Sequence, residues 1–214
     1  WHFRNYTLQT KVVLTTTALL LILPFLWFWL CEFVHWNGMS TGKQALSALF
    51  QTVCPRTAGF NNVDLNQLSG GSKLLTILLM LVGGSPSSTA GGIKTTTLAI
   101  LLLALRAAFT SDHQVHCFGR RIPAQVITRT LVVSVLYGTL FLVASMALIQ
   151  LEPVTMEEAL FECASAIGTV GLTLGITPEL GAVSKGILIL LMYLGRVGGL
   201  TLVYAVSGTG KRLH

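Results

Sequence analysis

The sequence predicts an all-α polytopic membrane protein made of two tandem units, each a long helix, a short re-entrant pore helix and a second long helix. Three observations carry that expectation. Charged residues make up only 10% of the 214 residues and hydrophobic ones 52%, with a mean hydropathy of +0.71, whereas soluble domains carry roughly a quarter charged residues. The apolar residues gather into uncharged runs of spanning length, and the chain matches itself at an offset of 112 residues. The net charge of +6 comes from basic residues that neither cluster nor alternate with aromatics. Nucleic acid is therefore excluded as a partner, and the basicity reads as membrane topology.

The elements follow in chain order. Residues 12–31 carry no charge, and at about 1.5 Å per residue they reach across a hydrocarbon core of roughly 30 Å. The first span is placed at 12–34, and Pro24 should kink it. A short helix then starts near Ser40 or Thr41, where Thr41 and Gln44 have capping-box spacing, and ends near Thr52. Residues 74–105 carry one charge, Lys94, and would be roughly 48 Å long as one helix, which overshoots a bilayer. Their centre reads Gly83-Gly84-Ser85-Pro86-Ser87-Ser88-Thr89-Ala90-Gly91-Gly92, so two half-helices joined by an intramembrane loop are expected. Irregular backbone at membrane depth is tolerated only inside protein or along a water-filled cavity, which points to a transport pathway. After a connector at 111–129, a second span covers 130–151. Thr155 and Glu158 cap a second short helix that ends near Ala166, and a last span covers 186–210, broken by Arg196.

The offset of 112 residues lays Thr57-Ala58-Gly59-Phe60 on Thr169-Val170-Gly171-Leu172, Ser72-Lys73 on Ser184-Lys185, and Gly83 on Gly195. The first unit occupies 1–110 and the second 130–214. Each short helix thus ends at a Thr-x-Gly turn. A helix carboxyl end is partly negative and favours a cation just beyond it, and rings of carbonyls set by such turns can replace the hydration shell of a monovalent cation. This is the geometry of a potassium-channel-like pore. Arg4, Lys11, Arg106, Arg120, Arg121, Arg129, Lys211 and Arg212 fall on one side, which the positive-inside tendency makes cytoplasmic. Seven of the eight acids, all but Asp112, fall on the outer side or on the short helices, where they would raise the local cation concentration.

The segments Pro55-Arg56-Thr57-Ala58-Gly59-Phe60-Asn61, Gly83 through Lys94, Gly168-Thr169-Val170-Gly171-Leu172-Thr173 and Gly195-Arg196-Val197-Gly198 resemble motifs of the Trk/Ktr/HKT superfamily of potassium transporters. The resemblance is closest to its KtrB-type membrane subunits and covers essentially the whole chain. Members of that superfamily have four helix–pore-helix–helix repeats around one pore, and these motifs resemble the third and fourth. The resemblance implies that Thr57, Ala58, Gly59 and Phe60, with Thr169, Val170, Gly171 and Leu172, supply two of four filter strands that bind K+. It implies a gate formed by Gly84, Ser85, Pro86, Ser87, Ser88, Thr89, Ala90, Gly91 and Gly92, with Arg196 projecting toward the pore. Lys94 fits two roles, tethering this loop or snorkelling to the cytoplasmic interface. Arg196 reads as an electrostatic barrier or counter-charge in the pore, or as a packing partner of the loop. Also implied are transport of K+ with Na+ as coupling or activating ion, a homodimer, a cytosolic nucleotide-binding ring and a multi-pass location in a bacterial cytoplasmic membrane, in contact with lipid. Two units close half of a four-fold pore, so the chain, which starts at Trp1, is expected to be the carboxyl half of a longer protein whose amino-terminal half completes the pore.

Other readings fit the residues less well. The segment Gly91-Gly92-Ile93-Lys94-Thr95 lacks the glycine that a phosphate loop places directly before its lysine. Ser85, Ser87 and Ser88 fail the GxSxG spacing, so no enzyme is expected. A secondary transporter of another cation or small solute shares the discontinuous helix but not the duplicated turn. Gly195 and Gly199 are spaced for close helix contact. His113, His116 and Cys117 are too few and too loosely placed for a metal site, and Cys31, Cys54 and Cys163 read as packing residues. Trp27, Trp29 and Trp36 fit an interfacial belt.

Overall fold

The first helix is fixed by Thr7, whose side-chain oxygen accepts the Thr10 N–H, so α1 runs over Leu8–Cys31 and begins earlier than the loss of charge suggests. Pro24 lies inside it and cannot donate to the Leu20 carbonyl. The computed structural model describes residues 6–32, 40–86, 88–110 and 115–197. Arg4, Trp36, Ser87, Asp112, His113, Gly198, Gly199, Lys211 and Arg212 lie outside the described residues, as do positions 33, 34 and 198–210 of the expected spans.

The remaining helices are α2 (Thr41–Val53), α3 (Gly70–Leu81), α4 (Thr95–Phe109), α5 (Ala124–Leu151), α6 (Met156–Gly168) and α7 (Ala182–Val197). Helices α1 and α5, with 24 and 28 residues, are long and apolar enough to cross a membrane. Helix α5 begins at Ala124 rather than at 130, because Pro123 rather than Arg129 sets its start. Among the described residues the all-α expectation has one exception, a hairpin of β1 (His116–Cys117) and β2 (Arg120–Arg121) in the connector. Its tip residues Phe118 and Gly119 have φ of 48° and 77°, as a two-residue hairpin turn requires.

The expected Thr41–Gln44 capping box is absent. Ser40 takes the cap position without a side-chain bond, which makes Thr41 the first helical residue. The box at α6 is present, with Glu158 Oε2 accepting the Thr155 N–H at 2.8 Å and Thr155 Oγ1 accepting the Glu158 N–H at 3.3 Å. Helix α6 is the centre of the packing. It touches α3, α5 and α7, and residues 161–168 are all buried. Helix α2 packs on α1 and leaves Leu46, Leu49, Phe50 and Val53 exposed.

Two carboxylates clasp the helices. Glu32, just past α1, accepts from the Ser69 hydroxyl at 2.6 Å and the Ser69 N–H at 3.2 Å, at the start of α3. Glu152, just past α5, accepts from the Gly181 N–H and the Ser184 hydroxyl, both at 2.7 Å, at the start of α7. Each negative charge meets unpaired N–H groups at the positive end of a helix. The Ser184 hydroxyl and the Gly181 N–H, with Lys185 nearby, hold the Glu152 carboxyl below the usual carboxylate range. A depressed acid stabilises the fold above its unfolded value and loses that contribution as pH falls through the folded one. Glu152→Gln should therefore flatten the acid limb of thermal unfolding below about pH 4.3, the ordinary glutamate value. An unchanged acid limb would show that the clasp adds nothing.

Two Thr-x-Gly turns and the loop against them

Both Thr-x-Gly turns carry the same backbone signature. Thr57 and Gly59 have φ of 73° and 73°, and Thr169 and Gly171 have φ of 53° and 91°. A threonine in the left-handed region is strained by about 1–3 kcal/mol, so the surrounding structure must hold it there. In the first turn the Cys54 carbonyl accepts from the Ala58 and Gly59 N–H groups at 3.1 and 3.2 Å. In the second, the Val170 N–H donates to the Ser165 carbonyl at 2.9 Å, and the Gly171 N–H donates to Ser165 Oγ at 3.2 Å.

The turns meet backbone to backbone. A Cβ at Gly59 would lie 2.3 Å from the Val170 carbonyl oxygen and 3.8 Å from Gly171 Cα. Along the second turn and just past it burial alternates, with Val170, Leu172 and Leu174 buried and Gly171, Thr173 and Gly175 exposed. Ala58 and Phe60 of the first turn are exposed. A cavity of about 550 Å³ opens along the second turn, lined by residues that include Thr169, Gly171, Thr173 and Glu162.

Glu162 is the residue that the sequence did not single out. It lies on α6 and is 4% exposed. Its carboxylate accepts from the hydroxyls of Thr173 and of Thr177, the latter at 2.8 Å, and from the Leu174 N–H at 3.3 Å. Glu32, at 0% exposure, and Glu162 therefore do not present open charge to an outer vestibule. The expectation of seven acids there is corrected for these two, because the fold buries both side chains. Only its position on a buried helix face marks Glu162, and burial is not legible from one carboxylate in the sequence.

The loop between α3 and α4 is closed at its neck. The Ile93 N–H donates to the Leu81 carbonyl at 3.0 Å and the Gly83 N–H to the Ile93 carbonyl at 2.8 Å, in a parallel bridge of Val82 with Ile93. The Thr95 N–H donates to the Gly84 carbonyl at 3.1 Å. Its far side sits against the second turn, where the Gly91 N–H donates to Thr169 Oγ1 at 3.0 Å and a Gly91 Cβ would come within 2.5 Å of that oxygen. The Ser85 carbonyl accepts the Ser88 N–H at 3.1 Å, next to Pro86. Lys94 Nζ donates to the carbonyls of Ser88, at 3.3 Å, and of Ala90, and Arg196 Nη1 donates to the Thr89 carbonyl. Two cations thus hold three consecutive loop carbonyls. The residue before Arg196, Gly195, lies against α6, with its Cβ position 2.1 Å from the Ile167 carbonyl oxygen.

Three comparisons bear on this arrangement. The family model named TrkH, described as a cation transport protein, matches residues 5–209. The chain is 39% identical over 210 residues, 97% of its length, to the Ktr system potassium uptake protein B of Vibrio alginolyticus, and covers 46% of that protein. It is 41% identical over 218 residues, 98% of its length, to the potassium/sodium uptake protein NtpJ of Enterococcus hirae, and covers 48% of it. The chain thus spans about half the length of the curated relatives it matches. The crystal structure of the potassium transporter TrkH from Vibrio parahaemolyticus superposes with a TM-score of 0.78 at 24% identity, over 92% of this chain and 44% of that one, which shows a shared fold. With a family model spanning nearly its whole length and KtrB-type relatives beside it, the chain belongs to the TrkH family of cation transport proteins.

Proposed function

We propose that this chain is part of the ion-conducting membrane subunit of a potassium uptake system. The contact of Gly59 with the Val170 carbonyl carries the reading, because it brings two like turns, each at the carboxyl end of a short helix, into one locus. Backbone carbonyls at Thr57, Ala58, Gly59 and Phe60 and at Thr169, Val170, Gly171 and Leu172 then replace part of the hydration shell of K+. The loop 84–92 is the gate, and Lys94 and Arg196 hold it closed through the carbonyls of Ser88, Thr89 and Ala90. In this reading α2 and α6 are re-entrant, pore units occupy 1–110 and 130–214, and 111–129 is a cytoplasmic connector. Na+ is the coupling or activating ion, in keeping with the name of the Enterococcus hirae relative. A homodimer on a cytosolic nucleotide-binding ring, a completing amino-terminal half and a bacterial cytoplasmic membrane follow from the family resemblance.

Rubidium uptake into cells that lack their own potassium uptake tests the proposal. Expression of the protein should give uptake that K+ competes and small organic solutes do not. Competition by an organic solute, with none by K+, would overturn it. Replacing both tethers, Lys94→Gln with Arg196→Gln, should raise uptake about fivefold, the equivalent of ~1 kcal/mol of lost restraint. A fall in uptake with normal membrane abundance would remove the tethering role.

A further inference from the structure

Beside the loop, on the side where α4, α5 and α7 converge, lies a cavity of about 570 Å³ whose lining includes Lys94, Arg129 and Arg196. Thr96, Thr97 and Thr130 line it as well, and none of its described lining residues is acidic. Lys94 and Arg196 each spend part of their donor capacity on loop carbonyls. Arg129 is exposed, and its side chain makes no hydrogen bond or ion pair with any described residue. Thr96 and Thr97 sit in the first turn of the 15-residue α4, where backbone N–H groups lack helical partners and the helix dipole is positive. Three cations, hydroxyls and a helix start around one cavity make a site for an anion with several oxygens.

A second feature indicates which anion. Thr96, Ile100 and Val126 are shared with an adjoining groove of about 300 Å³. That groove is apolar, walled by Leu8, Val12, Leu103 and Ile122, with Arg121 also in its lining. A cationic cavity running into an apolar groove on a membrane protein matches one ligand, with a phosphate at one end and a hydrocarbon chain at the other. We propose that the cavity binds the headgroup phosphate of an anionic phospholipid, with an acyl chain in the adjoining groove. The inference rests on residence in a membrane and not on ion conduction. The bound phosphate meets Lys94, Arg129 and Arg196 within the cavity and offsets the mutual repulsion of the three cations.

Native mass spectrometry of the purified protein, taken from vesicles of phosphatidylglycerol or of phosphatidylcholine, tests this. One phosphatidylglycerol should remain on each copy, and phosphatidylcholine should not. Arg129→Gln should lower phosphatidylglycerol occupancy about fivefold, the loss of one basic contact, whereas Arg129→Lys should stay within about twofold of wild type. Val126→Trp, which fills the shared wall without touching a charge, should lower it too. Equal retention of both lipids, unchanged occupancy in Arg129→Gln and Val126→Trp, or full displacement of the lipid by inorganic phosphate would overturn the proposal, the last by showing a site for free phosphate only.

Discussion

Rubidium uptake drops to about a tenth of the wild-type rate or less when Gly59 is replaced by alanine, and what remains discriminates poorly between K+ and Na+. Two costs combine. An L-residue at φ +73° costs about 1–2 kcal/mol, where 1.4 kcal/mol is already tenfold. The new Cβ also meets the Val170 carbonyl oxygen at 2.3 Å, where the obstacle is backbone and cannot rotate away. One substitution in the first turn therefore moves a carbonyl of the second. Gly171→Ala isolates the first cost, because nothing lies within 4 Å of its Cβ position although φ is +91°. Its defect should be severalfold milder. Equal defects would mean that conformation alone matters at both glycines, and wild-type uptake and selectivity in Gly59→Ala would count against the filter itself.

Glu162→Ala should be the most destabilising single change near the second turn. It strips the acceptor from two hydroxyls and the Leu174 N–H at a site only 4% exposed. Hydrogen bonds to a charged group contribute about 1.5–3 kcal/mol each and do not add fully, so a loss of about 3 kcal/mol is expected. Because Thr173 and Leu174 directly follow the turn, selectivity should fall along with the thermal midpoint. Glu162→Gln, which keeps one acceptor oxygen, should recover part of both. If Glu162→Ala lowers stability and leaves selectivity intact, the carboxylate serves packing alone.

What the sequence discloses is local. The Thr155 and Glu158 box, the Gly/Ser-rich break between α3 and α4, and the glycines of the two turns act through neighbours a few residues away. The offset of 112 residues aligns Thr57 and Gly59 with Thr169 and Gly171, and their backbone angles share one region. The misses are of two kinds. Thr41 matched a capping pattern one residue out of register, because Ser40 reached the extended cap conformation first. The hairpin at Phe118 and Gly119 lacks the Asn-Gly or Asp-Gly pair that normally announces such a turn. Beyond these, Gly59 against Val170, Glu162 against Thr177 and Glu32 against Ser69 join residues that no periodicity connects. Composition reports that a carboxylate is present in an apolar chain, but not which hydroxyl it has found.

The two carboxylate clasps have a consequence for how such a chain is made. Glu32 ties the end of α1 to the start of α3, and Glu152 ties the end of α5 to the start of α7, each without involving the short helix between them. The two helices of each clasp can therefore pair as soon as both have been made, before α2 or α6 packs between them. The meeting of Gly59 with Val170 needs both pairs, and its wide sequence separation makes it a late event. Assembly then runs from clasped hairpins to seated short helices to touching turns. A nascent chain stalled before α7 would be expected to hold a finished first hairpin and two turns not yet in contact.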